Sequence, residues 1–159
     1  MIAFAASTSR EEAVARLYGD LHAYGDHSAA TAYLLTGLSQ HFLDLGLSPS
    51  SALAGAHVLD AGCGGFAGGA AAALALGAAH VTAVDLSTDN VLAARRCFRN
   101  VSNVDVRCQN VLRLDLTDGR FDFVYSNGVP AGRASVFPQA RTALHCSRRS
   151  RIGVSSSAD

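Results

Sequence analysis

Two rhythms of apolar and polar positions divide the chain. Residues 10 to 24, REEAVARLYGDLHAY, set Val14, Leu17 and Leu21 three and four apart, the spacing of one helical face. A second helical stretch, roughly 29 to 45, puts Tyr33, Leu34, Leu38, Phe42 and Leu45 in register and stops at Gly46, with LSPSS following as a loop. From His57 the rhythm changes. HVLDA is a short apolar run, GGAAAALALGA an alanine-rich helix, and HVTAVD a second strand rich in β-branched residues. Ser87 is placed to cap the next helix, Asp89 falls in its electropositive first turn, and Val91, Ala94 and Phe98 form its inner face. VDVRC at 104 to 108 and RFDFVYSN at 120 to 127 supply a third and a fourth strand. Strands alternating with helices at this spacing predict an α/β fold whose parallel sheet is covered on both faces and joined by right-handed crossovers.

After Val129 this order dissolves. The segment PAGRASVFPQARTALHCSRRSRIGVSSSAD is rich in Ser, Arg and Ala and shows neither a period of 2 nor a sustained period of 3.6. Only PQARTALHCSRR has the makings of a short helix. The expected organisation is an N-terminal helical cap over 1–50, a core over 51–129 and an irregular tail over 130–159. Strand four then stands as an open edge, a liability for solubility that predicts marginal stability or association.

A chain of 159 residues suits one domain and buries a core without a disulfide scaffold. Cys63, Cys97, Cys108 and Cys146 are scattered with no C-x-x-C pair, so no zinc or other metal site is expected and reduced thiols fit a cytoplasmic protein. No apolar run is long enough to span a bilayer, and the opening MIAFAASTSREE lacks the plan of a signal peptide, so a soluble chain is expected. The zero formal charge hides an asymmetry. Residues 1 to 129 carry 8 Arg against 12 acids, while residues 130 to 159 carry 5 Arg against 1 acid. The body lacks the basic stripe with interleaved aromatics that nucleic-acid binding favours. The coincident change of charge and periodicity near residue 129 suggests a truncation or a switch of reading frame there, which sequencing of the coding DNA would test.

The candidate chemistry lies in VLDAGCGGFAGG, residues 58 to 69. In an α/β sheet, ligands settle beyond the carboxyl ends of the strands where strand order reverses. Gly62 and Gly64 allow a sharp turn and bring bare backbone against a ligand, with the free N–H groups of the following helix aimed at it. The string Gly62-Cys63-Gly64-Gly65-Phe66-Ala67 satisfies G-x-G-x-x-A, which a nicotinamide dinucleotide would use. Asp85 closes strand two, where a carboxylate accepts bonds from both ribose hydroxyls of either cofactor. Asp60 discriminates between them. Beside a pyrophosphate it would repel, whereas a ligand's ammonium or sulfonium would be attracted.

VLDAGCGG, GAAHVTAVDLSTDNVLAARR, NVDVRCQNVLRLDL and GRFDFVYSNGV together resemble the class I S-adenosylmethionine-dependent methyltransferases, in their small-molecule branch, over roughly residues 55 to 129. The resemblance implies a Rossmann-like, doubly wound parallel sheet of order 3-2-1-4, incomplete on its C-terminal side, with helices ahead of it. It also implies a site. The loop Asp60, Ala61, Gly62, Cys63, Gly64 and Gly65 would hold the methionine half of S-adenosylmethionine, and Asp85 with Leu86 the ribose. Asn110 and Val111 stand where the family usually has an Asp and a backbone amide facing the adenine. Ser126 and Asn127 match the place where the methyl meets its acceptor. Departures are Phe66 in place of the loop's third glycine, and Pro130-Ala-Gly-Arg where the family often carries paired histidines.

The function implied is methyl transfer from S-adenosylmethionine to a small-molecule acceptor, with no nucleic acid or membrane partner. The rival readings are a non-catalytic or truncated cofactor-binding remnant of the fold and, behind it, an NAD-dependent oxidoreductase. No residue is a compelling base, so the catalytic residues stay unassigned. His22, Tyr24 and His27 belong to helices that often lid the pocket in such proteins, His57 and His80 open strands at the far edge, and His41 and His145 have no evident partner.

Overall fold

The computed structural model describes residues 27–114, 121–127, 142–147 and 150–156. The helix expected over 10 to 24, with His22 and Tyr24, lies outside them. The described elements run α1 (His27–Asp44), β1 (His57–Ala61), α2 (Gly68–Ala75), β2 (His80–Asp85), α3 (Thr88–Cys97), β3 (Val104–Cys108), β4 (Phe123–Asn127), β5 (Thr142–Ser147) and β6 (Ser150–Ser156). They form one sheet of order β3-β2-β1-β4-β5-β6, parallel through β5 and antiparallel at β6. The expected core order 3-2-1-4 is present. Strand order reverses between β1 and β4, so the loop leaving β1 opens at the switch point.

The tail departs from the sequence reading. Thr142–Ser147, placed in the one stretch with any helical character, is a strand paired with β4 along Val124–Asn127, and β6 pairs with it in turn. Strand four is therefore not the open edge expected, and residues 130–159 are not irregular throughout. TALHCS and SRIGVSS contain few large apolar residues, and strand propensity reflects packing against neighbours more than any fixed backbone preference.

Both sheet faces are covered, and the strands alternate between them. Val58, Val81, Ala83, Phe123 and Tyr125 face a core shared with α1, α2 and α3. Leu59, Ala61, Val84, Phe121 and Val124 form a second cluster on the other face. The inner side of α1 carries Leu38, His41 and Phe42, while Tyr33 is 70% exposed and Leu45 48% exposed. The expected stripe misses the true one at both ends: Leu35 packs inward beside the expected Leu34 while Tyr33 faces out, and Leu45 lies past the helix end, beside Gly46 at φ +73°. Small residues let α1 approach α2 closely. A Cβ on Gly68 would lie 2.8 Å from the carbonyl carbon of Ala30. Ser87 caps α3 as expected, its Oγ accepting from the Asn90 amide at 3.4 Å, and Val91, Ala94 and Phe98 are buried beneath it. Among the described residues, no helix is long and apolar enough to cross a membrane.

Candidate functional site

The chain leaves β1 through a turn that only glycine adopts without strain. Gly62 has φ +84° and Gly64 φ +64°, both in the left-handed region. The amides of Gly62 and Cys63 both donate to the Val84 carbonyl, at 2.8 and 2.9 Å, which folds the loop over the end of β2. Gly65 packs on α3, where an added Cβ would come within 3.3 Å of Asn90 Oδ1. Ala67, at the N-cap of α2, is held at φ +42°, a strained conformation for a residue with a Cβ. The loop thus departs from extended backbone at three positions before the helix begins.

Asp60 and Asp85 project from the same face of the sheet. Asp60 pairs with Ala83 in register, and Asp85 lies two residues further along β2, so the period of 2 returns both side chains to one side. Asp60 is 2% exposed, and its Oδ2 has no hydrogen-bond partner among the described residues. Burial pushes its carboxyl up to about 7, against a hydrogen bond from the Ala70 amide that lowers it, with the charge of Asp85 adding to the rise. The sequence alone presents Asp60 as a plain anion. Its surroundings instead hold it poised between protonation states near neutrality. An added Cβ on Gly69 would stand 2.7 Å from Oδ2, so the carboxyl occupies the space left by a missing side chain.

Asp85 is held quite differently. Its Oδ1 accepts from the Ser87 amide at 2.9 Å and from Asn90 Nδ2 at 3.1 Å, and its Oδ2 accepts from the Gly64 amide at 2.9 Å. One carboxylate therefore joins the glycine loop to the first turn of α3. Close to both acids lies Cys63, whose thiol is pushed well above its ordinary value by burial and then by the charges of Asp60 and Asp85.

The remaining expected site residues gather along the same edge. Leu86 follows Asp85, and its carbonyl accepts from Cys108 Sγ at 3.6 Å. Asn110 and Val111 form the turn after β3; the preceding Gln109 amide donates to the Asp85 carbonyl at 2.9 Å, which ties this turn to the end of β2. Ser126 is buried, and its hydroxyl donates to the Ala61 carbonyl at 3.0 Å, fastening the end of β4 to the end of β1. Asn127 closes β4, beside Cys146 of β5. His57 and His80 stand in register at the opposite edge, ring centroids 4.9 Å apart, away from the loop as expected.

Two participants escape a reading of the sequence. Asn90 is 3% exposed and bonds to Asp85, a contact visible only once α3 is folded against β2. His27 reads as a lid residue, but its link to the loop emerges only from the structure: Nδ1–H donates to the Phe66 carbonyl, and the ring lies edge-on to Phe98 at 5.7 Å. A carbonyl only accepts, so this bond fixes the proton on Nδ1 in the neutral ring.

Residues 58–148 match the family model described as a methyltransferase domain. The chain belongs to this methyltransferase-domain family. The match runs past Val129 and through β5, further than the motifs alone reach. No curated protein matches the chain. Among solved structures, the fold resembles magnesium protoporphyrin IX methyltransferase from Synechocystis, crystallised with bound S-adenosylmethionine. That resemblance has a TM-score of 0.63 and 20% identity, covering 89% of this chain and 77% of the other. It also resembles a Thermoplasma acidophilum protein, with a TM-score of 0.55 and 21% identity over 88% of this chain and 73% of that one. The [4+2]-cyclase SpnF shares the fold at a TM-score of 0.59 and 17% identity, over 87% and 59% of the two chains. These likenesses establish the architecture; the reaction has to be argued from the site.

Proposed function

We propose that this domain binds S-adenosylmethionine across the carboxyl ends of β1 and β2 and transfers its methyl group to a small-molecule acceptor. The observation that carries this reading is the buried Oδ2 of Asp60, which has no hydrogen-bond partner among the described residues and lies against Gly69, in the first turn of α2 just after the glycine loop. A buried polar atom without a partner costs about 1–3 kcal/mol, and a cationic ligand group delivered to that oxygen would offset the cost. A dinucleotide pyrophosphate would place a second negative charge against Asp60 and Asp85 instead.

Family membership supports the cofactor class, and the described residues fit it. Asp60 with the 62–65 loop would take the charged methionine half, Asp85 and Leu86 the ribose, and Asn110 and Val111 the adenine edge. Ser126 and Asn127 would border the reacting end. The cofactor brings an activated methyl group; the protein's share is alignment and exclusion of water, worth on the order of 7–11 kcal/mol in effective concentration. His27 contributes by fastening α1 to the Phe66 carbonyl of the loop. A small acceptor, rather than nucleic acid, accords with the balance of 8 Arg against 12 acids over residues 1 to 129.

The test is a thermal-shift comparison of the full chain with S-adenosylmethionine, S-adenosylhomocysteine and NAD. Ligand at roughly 100 times its Kd stabilises the native state by about 2.7 kcal/mol. A rise in Tm with both sulfur nucleosides and none with NAD is expected. A rise with NAD alone overturns the assignment.

A further inference from the structure

Among the described residues the sheet ends at β3. The ladder to β2 fixes which of its backbone groups point away from the sheet. The Val81 amide donates to the Asn103 carbonyl and the Gln109 amide to the Asp85 carbonyl, both at 2.9 Å, so in this parallel pairing the odd-numbered residues of the stretch bond inward. Val104, Val106 and Cys108 therefore turn their N–H and C=O groups outward, a row that templates a further strand. Arg95, in the last turn of α3, reaches this edge. Its Nε and Nη2 both donate to the Val106 carbonyl, at 3.0 and 2.8 Å, so the guanidinium lies where the amide of an incoming strand would have to be.

The edge beneath Arg95 is self-complementary. Asp105 and Arg107 project from one face of β3, are partly exposed, and pair with each other at 2.6 Å. In an antiparallel pair of β3 strands with a twofold axis at Val106, Val106 faces its own copy across a hydrogen-bonded pair, and Asp105 of each strand stands opposite Arg107 of the other. Sliding the second strand two residues either way sets Asp105 against Asp105 or Arg107 against Arg107, which like-charge repulsion disfavours. One register is thus selected, and its central carbonyl is the one that Arg95 occupies. We propose that β3 is a self-pairing edge, complementary to β3 of a second copy of this chain, and that Arg95 is the guard that holds it closed.

The experiment is sedimentation equilibrium of the full chain, joined to residue-resolved amide hydrogen exchange at low and high protein concentration. Arg95→Met keeps the apolar stem and removes the donors. It should tighten self-association by about 10- to 100-fold over the wild type, the range for the hydrogen bond to a charged group that no longer has to be broken first. At high concentration the amides of Val104, Val106 and Cys108, open to solvent in the wild type, should become protected in the variant. Adding Asp105→Arg to Arg95→Met sets like charges opposite each other and should return association to the wild-type level. An Arg95 that served only to brace α3 on β3 would lower Tm and leave self-association unchanged; that result in a folded Arg95→Met overturns the proposal. So does association without protection of the three amides, association that survives Asp105→Arg, or protection of those amides already present in the wild type at low concentration. If Arg95→Met does not stay folded, Arg95→Gln, too short to span the same distance, carries the same comparison.

Discussion

Replacing Asp60 by asparagine removes a titrating group while keeping its shape, and the structure sets both the sign and the size of the effect. The ordinary carboxyl value is 3.8, and burial pushes the native one up to about 7. Between these two values the native state binds more protons than the unfolded state, so stability falls as pH rises through that window. The contribution is fully present below about pH 3.8 and lost above about pH 7. A difference of about three pH units at about 1.4 kcal/mol each makes the ionised Asp60 cost roughly 4 kcal/mol in the absence of ligand. The uncharged carboxamide of Asp60→Asn escapes that cost but leaves an amide N–H without a partner where Oδ2 now stands, a penalty of about 1–2 kcal/mol. The net expectation at about pH 8 is a variant more stable by about 2–3 kcal/mol, a Tm rise of roughly 5–10 °C for a chain of this size. Urea denaturation at about pH 5 and about pH 8 isolates the effect, because His41 and His57, whose values burial lowers, titrate in both proteins and cancel in the comparison. The wild type should lose about 3 kcal/mol more than Asp60→Asn between those two conditions. Stability curves that run parallel within about 1 kcal/mol, or a variant less stable at the higher pH, would mean that Asp60 carries no such burden in the native state.

Other expectations follow from contacts already described. Gly68→Ala sets a Cβ 2.8 Å from the backbone of Ala30, so α1 must shift, and chemical denaturation should show a loss of about 1–3 kcal/mol despite alanine's better helix propensity. Gly69→Ala drives a Cβ to 2.7 Å from Asp60 Oδ2; it should lower stability by a similar ~1–3 kcal/mol and abolish S-adenosylhomocysteine binding in a thermal-shift assay. Ser87→Ala removes the helix cap and should cost about 1 kcal/mol by urea denaturation. Iodoacetamide at mildly alkaline pH, followed by peptide mapping, should label the exposed Cys97 and Cys108 and spare Cys63, whose thiolate is disfavoured by burial near two carboxylates, until the protein is unfolded.

How far the fold is legible in the sequence depends on where the constraint resides. β1 and β2 are buried on both faces and therefore read as continuous apolar runs, which is why their limits can be placed within a residue or so. Ser87 and the inner face of α3 follow local rules of capping and period, and both are legible. β5 and β6 are not: their pairing comes from β4's unfilled edge rather than from any apolar run of their own. Tyr33 is misplaced because an apolar residue beside a stripe cannot be told from one within it until the helix has a neighbour. In the site, the glycines and both acids are legible because their demands are local, a left-handed turn and a carboxylate at a strand end. The protonation of Asp60 and the crowding of Asp85 are not, since each depends on what α2 and α3 bring against the strand from outside it.

Asp60 and Asp85 lie on one face of the sheet, on either side of a bare glycine turn, and in the proposed function they form a seat for a sulfur-bearing nucleoside. Calorimetry of the full chain with S-adenosylhomocysteine, on wild type and on Asp85→Ala checked for folding by circular dichroism, tests it most directly. Binding by the wild type, weakened by at least about tenfold in a folded Asp85→Ala, is the expected result. Equal affinities in the two proteins, or no heat from the folded wild type at about 1 mM ligand, a level corresponding to only about 4 kcal/mol of binding, would contradict it.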